Sequence, residues 1–242
     1  LGGAARSIVL SSDSGSAGFL ACHEVEIDNP GDTISVMEKI AIIDFETTGM
    51  SPDMGDRATE VAVVIVAGGE IVDRYQSLMN AGVRIPPFIE ALTGISTAML
   101  KSAPPAGEVM AELAEFVGDL PLVAHNASFD SRFLDAEWAR IKRRRRQEFA
   151  CSMLLARRIY PLAPNHKLGS LVEHLGLPSA ERHHRALADA EMTAHLWSRM
   201  VADLGEQYGL DVVPHEFLRG LQKTPKAQIA RYVARAKLKL DL

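Results

Sequence analysis

Four apolar residues in a row, Ile40-Ala41-Ile42-Ile43, run straight into Asp44-Phe45-Glu46. An apolar run this short reads as a strand buried on both faces, inside a sheet covered by helices. Side chains alternate along a strand, so Asp44 and Glu46 point to one face at its end. Two like charges held that close beside a core are costly unless water or a cation compensates them. The pair is therefore either a solvated strand end or a metal site.

Two further β-rich segments, 59–66 and 70–78, are separated by Gly68-Gly69, a hairpin signal, so the first three strands form a meander. From Pro86 the spacing turns helical, with a short turn over 88–92 and an amphipathic helix over 105–117, followed by a fourth strand over 120–124. Next come a helix from Ser128 into an arginine run, a short strand or helix over 151–159, a helix over 168–175 stopped by Gly176 and Pro178, and a last core helix over 187–204. A meander followed by strands alternating with helices predicts an α/β fold, a mixed sheet flanked by helices.

At 242 residues the chain has room for one catalytic domain with some extension at each end. Residues 1–36, rich in Gly, Ser and Ala at the start, read as a flexible N-terminal tail, and Met37 can itself be a start. The domain spans 37–204, and 205–242 reads as a C-terminal helical extension, with Pro225 separating two amphipathic helices. The extension is expected to pack on the core, the alternative being a basic helix that meets a partner or nucleic acid. Two distant cysteines, Cys22 and Cys151, argue against a zinc site or a disulfide framework and for a reducing, cytoplasmic setting. No apolar run is long enough for a membrane span. A net charge of −5 decides little about a nucleic-acid partner, because metal-bound carboxylates still count as negative. The cations are also clustered, at 142–146 and at Lys223, Lys226, Arg231, Arg235, Lys237 and Lys239.

Two more groups carry chemistry. His125-Asn126-Ala127-Ser128-Phe129-Asp130 falls where the fourth strand gives way to a helix, the place where open α/β sheets hold ligands. Asp130 in a first helical turn also suits the helix dipole, and Asn126 is a good N-cap. His184-Arg185-Ala186-Leu187-Ala188-Asp189 opens the last core helix. Five helical steps would leave His184 and Asp189 about 140° apart, so His184 is expected in the preceding loop, where a general base can meet its water. His183 is its rival, and only the offset from Asp189 favours His184.

In this order and spacing, these motifs resemble the DnaQ-like exonucleases of the DEDDh type, the family of the epsilon proofreading subunit of replicative DNA polymerase. The matching segments are Asp44-Phe45-Glu46-Thr47-Thr48-Gly49, the group ending in Asp130 and the group ending in Asp189, with softer matches at Leu92-Thr93-Gly94-Ile95 and Asn165-His166-Lys167-Leu168. The resemblance implies an RNase H-like fold with a five-stranded mixed sheet. It implies that Asp44, Glu46, Asp130 and Asp189 hold two divalent cations, magnesium or manganese, with Asp44 bridging them and His184 as general base. The other branch of the family has a tyrosine where this chain has Arg185, so the histidine branch is indicated.

The implied reaction is metal-dependent 3′-to-5′ exonuclease cleavage releasing nucleoside 5′-monophosphates. Thr47 is placed near the terminal 3′ hydroxyl in relatives, while Phe129 and Leu92 can wedge or stack on the last bases and Asn126 lies beside them. The partner is a single-stranded 3′ end, DNA ahead of RNA, and a DNA polymerase subunit is a further candidate. RNA trimming, or end-binding without catalysis, are the competing readings. The 142–146 run is expected to be a solvated helix end rather than a guide for the strand.

Overall fold

The computed structural model describes residues 38–179 and 185–240. The expected N-terminal tail lies outside the described residues. β1 (Ile40–Thr47), β2 (Ala58–Ala67) and β3 (Glu70–Leu78) form the antiparallel meander. β4 (Leu122–Ala124) pairs parallel to β1, and β5 (Phe149–Cys151) parallel to β4, giving a five-stranded mixed sheet in the order β3-β2-β1-β4-β5. This is the RNase H-like arrangement.

Between the strands run α1 (Pro87–Thr93), α2 (Thr97–Ser102), α3 (Ala106–Val117), α4 (Ser128–Arg140), α5 (Ser152–Ile159) and α6 (Leu168–His174). α7 (Ala186–Tyr208), α8 (His215–Leu221) and α9 (Ile229–Leu240) complete the fold. β1 is buried on both faces as its apolar run predicts. Ile40 and Ile42 pack with Leu171 and Trp197 from the α6 and α7 side, whereas Ala41, Ile43 and Phe45 pack with Met110, Phe133 and Trp138 from α3 and α4. Two cores thus clamp one sheet, and the acids of β1 lie on the α7 side.

The structure departs from the sequence expectations at four places. α2 is absent from the sequence reading; Ser96 caps it by accepting the Met99 N–H at 3.2 Å, in a stretch whose apolar spacing is too short to register. α4 stops at Arg140, so the arginine run closes the helix end, Lys142 N–H to the Ala139 carbonyl and Arg143 N–H to the Trp138 carbonyl, instead of continuing the helix. The chain turns at Lys142, with φ 58°, and Arg143 and Arg145 fold back: Arg143 pairs with Glu115 at 3.2 Å, and Arg145 makes two 2.9 Å bonds to Asp135. Asn126 does not cap α4. It takes a left-handed turn (φ 65°) ahead of Ala127, a conformation that asparagine tolerates better than most residues. The last core helix also runs beyond Leu204 to Tyr208, where Gly209 closes it at φ 58°.

The C-terminal helices pack on the core. Phe217, Leu218, Leu221 and Val233 join the α7-side cluster. The buried His215 ring donates from Nε2 to the Leu122 carbonyl at 3.1 Å, and Gln222 accepts the Cys151 N–H of β5 at 2.6 Å. Among the described residues no helix is long and apolar enough to cross a membrane.

Candidate active site

At the end of β1, Asp44 and Glu46 face α7, whose first turn carries Asp189. One carboxylate oxygen from each lies within 4.8 Å of the others. Asp130, in the first turn of α4 and 2% exposed, sits beside them, its Oδ1 accepting the Phe45 N–H at 3.2 Å. A strand's alternation and two helix N-termini thus bring four acids, far apart in sequence, to one end of the sheet. His184, the expected base, and its rival His183 lie outside the described residues.

Burial, more than any other cause, raises the Asp44 carboxyl well above the usual range, with Asp130, Asp189 and Glu46 adding repulsion. Burial first and Asp189 second push Glu46 up to about 8. Burial pushes Asp130 up to about 8 against its backbone hydrogen bonds. A donor set of carboxylates alone, repelling one another in a partly desolvated pocket, fits a hard divalent cation. The cluster can coordinate one through Asp44, Glu46 and Asp189.

The strained acids give a prediction. The folded chain keeps protons on Glu46 and Asp130 up to about pH 8, while the unfolded chain releases them in the ordinary carboxylate range. Stability of the metal-free protein should therefore fall as pH rises from about 5 to about 8. Magnesium or manganese, displacing those protons, should flatten that fall. Thermal unfolding in chelator and in metal across this range tests it, and a chelator curve that climbs with pH would refute the charge balance drawn here.

A fifth acid, absent from the sequence reading, organises the site. Glu60 on β2 is opposite Glu46 in register and fully buried. It receives Arg185 at 2.7 and 3.1 Å, the Ala186 N–H at 3.1 Å and Gln76 at 2.8 Å. Glu60 therefore fixes the start of α7, the turn that presents Asp189. Its signal was one carboxylate inside the apolar run of β2.

The rest of the motifs resolve into structure. Thr47 is buried and donates its hydroxyl to the Gly49 carbonyl at 2.5 Å. A side chain at Gly49 would meet the Asp56 carboxylate. Asp56 in turn accepts the Ser51 N–H at 3.0 Å, closing the loop after β1. The His125 ring donates from Nε2 to the His166 carbonyl at 3.0 Å and accepts from the Ser152 hydroxyl at 2.8 Å. Burial lowers its pKa to about 4, so it stays neutral and ties the second motif to the Asn165-His166 segment. Asn126 accepts weakly from the Ser128 hydroxyl at 3.4 Å. Phe129 is half-buried against Phe133, with ring centroids 4.9 Å apart. Leu92 is 51% exposed on α1, and one helical turn before it Phe88 is 68% exposed. That i,i+4 apolar pair escaped the sequence reading.

The family model described as Exonuclease matches residues 41–197, more than half of the chain. The chain belongs to the DnaQ-like, DEDDh exonuclease superfamily. The chain is 37% identical over 171 residues to the PolC-type DNA polymerase III of Bacillus cereus, an alignment covering 70% of this chain and 12% of the polymerase. It is 36% identical over 172 residues to that of Bacillus subtilis, again 12% of its length. The chain thus spans about an eighth of the length of these curated relatives. Among solved structures, exonuclease X in complex with 5′ overhanging duplex DNA superposes with a TM-score of 0.57 at 28% identity, covering 80% of this chain and 99% of that one. The nuclease domain of 3′hExo, a DEDDh family member bound to rAMP, has a TM-score of 0.60 at 23% identity, over 69% of this chain and 92% of its own, and shares the fold.

Proposed function

We propose that this DEDDh exonuclease removes nucleotides one at a time from the 3′ end of a single strand, releasing nucleoside 5′-monophosphates, with DNA preferred to RNA. The observation that carries this reading is the meeting of Asp44, Glu46 and Asp189 within 4.8 Å at the end of β1. When bound, two divalent cations, magnesium or manganese, supply Lewis acidity to the scissile phosphate and a lowered pKa to the attacking water. Asp44, Glu46 and Asp189 would hold them, with Asp130, anchored by the Phe45 N–H, in support. His184 takes the proton from the water. Arg185, the residue after that histidine in sequence, is held by Glu60.

Substrate contacts follow from exposure. Phe88 and Leu92 stand free on α1, which follows β3 at the same end of the sheet as Glu46, and offer an apolar surface to the last bases. Phe129 supplies a partly open ring beside Asp130, and Asn126 a turn next to it. Thr47 contributes its backbone, since its hydroxyl is engaged by Gly49. The DNA preference is supported by likeness to PolC-type DNA polymerases and to exonuclease X with duplex DNA, and a polymerase is the partner class that this likeness suggests. The buried, free Cys151 fits a reducing cytoplasmic setting. The domain responsible is read as 37–204 with 205–242 as its helical extension, α7 carrying the chain across that boundary to Tyr208.

Matched single-stranded DNA and RNA oligonucleotides labelled at the 5′ end should give a chelator-sensitive ladder shortening from the 3′ end, faster on DNA. Folded protein that leaves both uncut in magnesium and in manganese would overturn the assignment, and faster trimming of RNA would overturn the preference.

A further inference from the structure

Beyond the family match, α8 and α9 enclose a cleft of about 910 Å³. Arg219, Lys223, Arg231 and Arg235 line it, and Glu216 is the single acid among its lining residues. Arg219 is held by Glu148 at 2.8 Å. Lys223, Arg231 and Arg235 are exposed and, among the described residues, form no ion pair. The cleft's walls are fixed, since Tyr232 packs over Gly220 and donates its hydroxyl to the Phe217 carbonyl at 2.8 Å. Residues 214–240 carry seven Lys or Arg and one acid, in a chain whose net charge is −5. This segment is therefore one of the two cation-rich stretches of an otherwise acidic chain, the other being 142–146.

The cleft also lies toward the catalytic end of the sheet. Gln222, next to Lys223, bonds the Cys151 N–H at the end of β5, which lies two strand spacings, about 10 Å, from β1. Gln222 further lines a smaller cavity of about 240 Å³ with Asn126 and Ser128, at the start of the helix that carries Asp130. Two aromatic residues also line the cleft, but Phe217 is buried and Tyr232 half-buried with its hydroxyl bonded to the Phe217 carbonyl, so the cleft's exposed charge lies on the cations. What the cleft offers is cations without partners.

We propose that the α8–α9 cleft binds the phosphate backbone of the single strand whose 3′ end occupies the carboxylate site, through Lys223, Arg231 and Arg235. The inference rests on the exonuclease reading for the direction of the strand, while the cleft's affinity for phosphate stands on its own cations. Neutralising phosphates releases counterions, so the three residues should set the salt dependence of strand binding.

The test uses the full chain carrying Lys223→Ala, Arg231→Ala and Arg235→Ala together. Binding is read by fluorescence anisotropy in an Asp44→Asn background, with an oligothymidylate of about 20 nucleotides, longer than a typical single-strand site, and with a trinucleotide too short to span it. Affinity for the long strand should fall on the order of tenfold or more, and the slope of log affinity against log salt should become shallower by about 2. Trinucleotide binding should not change. Nor should hydrolysis of the p-nitrophenyl ester of thymidine 5′-monophosphate by the triple variant with Asp44 intact. An unchanged salt slope on the long strand would overturn the proposal, as would equal losses on the long and short ligands. If the unaltered chain fails to hydrolyse the ester, the exonuclease reading falls, while the binding slopes still decide the cleft.

Discussion

Replacing Asp44 with asparagine is expected to reduce turnover by a factor on the order of 10³ or more while making the metal-free protein harder to unfold. The substitution preserves shape and removes one charge from the most crowded position, where burial and the neighbouring acids Asp130, Asp189 and Glu46 all oppose ionisation. Loss of a group whose interaction matters mainly in the transition state appears in kcat rather than in folding. In chelator the same change relieves repulsion inside the carboxylate cluster, so the melting temperature at about pH 8 should rise above that of the unaltered chain. The two readouts move in opposite directions only if Asp44 is kept for its charge. Near-normal turnover of a labelled oligonucleotide, or a lower melting temperature in chelator, would show that Asp44 serves packing instead.

Glu60→Gln should be the second most damaging change, and through the metal requirement. Glutamine keeps one carbonyl for the Ala186 N–H but gives up the paired contacts that hold Arg185 at 2.7 and 3.1 Å. Removing one partner of a buried ion pair costs several kcal/mol; because Arg185 keeps 32% of its side-chain surface exposed, about 2 to 3 kcal/mol is the larger share to expect. Arg185 already draws the Glu46 pKa down, and once released from Glu60 it turns toward that carboxylate as a competitor for the cation. The magnesium concentration for half-maximal activity should therefore rise, with much of kcat recovered at saturating metal. A variant that loses stability without any shift in metal requirement would make Glu60 an ordinary core acid. Glu60→Asp, which keeps the charge, should restore part of the metal response.

These two residues also mark how far the sequence could be read. Asp44 and Glu46 were legible because strand periodicity is local: a spacing of two on a buried run leaves one geometry. Asp130 and Asp189 could each be placed at a helix start, but it was the resemblance, not periodicity, that joined them to Asp44 and Glu46 as one set. The meander and the mixed sheet followed from local signals, a glycine hairpin and then alternation, while the count of five strands came from the resemblance. Glu60 was not legible as an organiser because its partner lies 125 residues away. No periodicity connects an acid in one strand to an arginine ahead of a distant helix. The capping role expected for Asn126 failed for a related reason, since asparagine suits both an N-cap and a left-handed turn, and the approach of the chain from β4 selects the turn. The arginine run misled because helical propensity continues past Arg140, whereas the side chains of Arg143 and Arg145 find acids and aromatic rings behind them.

The sheet's two margins are sealed by different means. On β3, Glu70, Asp73, Arg74 and Gln76 are exposed and place polar and charged groups where another strand would have to add. On β5 the protection is a separate piece of chain: α8 lies against it, taking the Cys151 amide through Gln222 and the Leu122 carbonyl of the next strand through His215. An unsatisfied strand margin is a template for self-association. Shortening the chain behind α7 therefore does more than remove a peripheral cation-rich appendage. It uncovers an adhesive border, so a trimmed version would be limited by aggregation before its catalysis could be assayed, whereas the β3 border carries its own insulation and tolerates a fused neighbour.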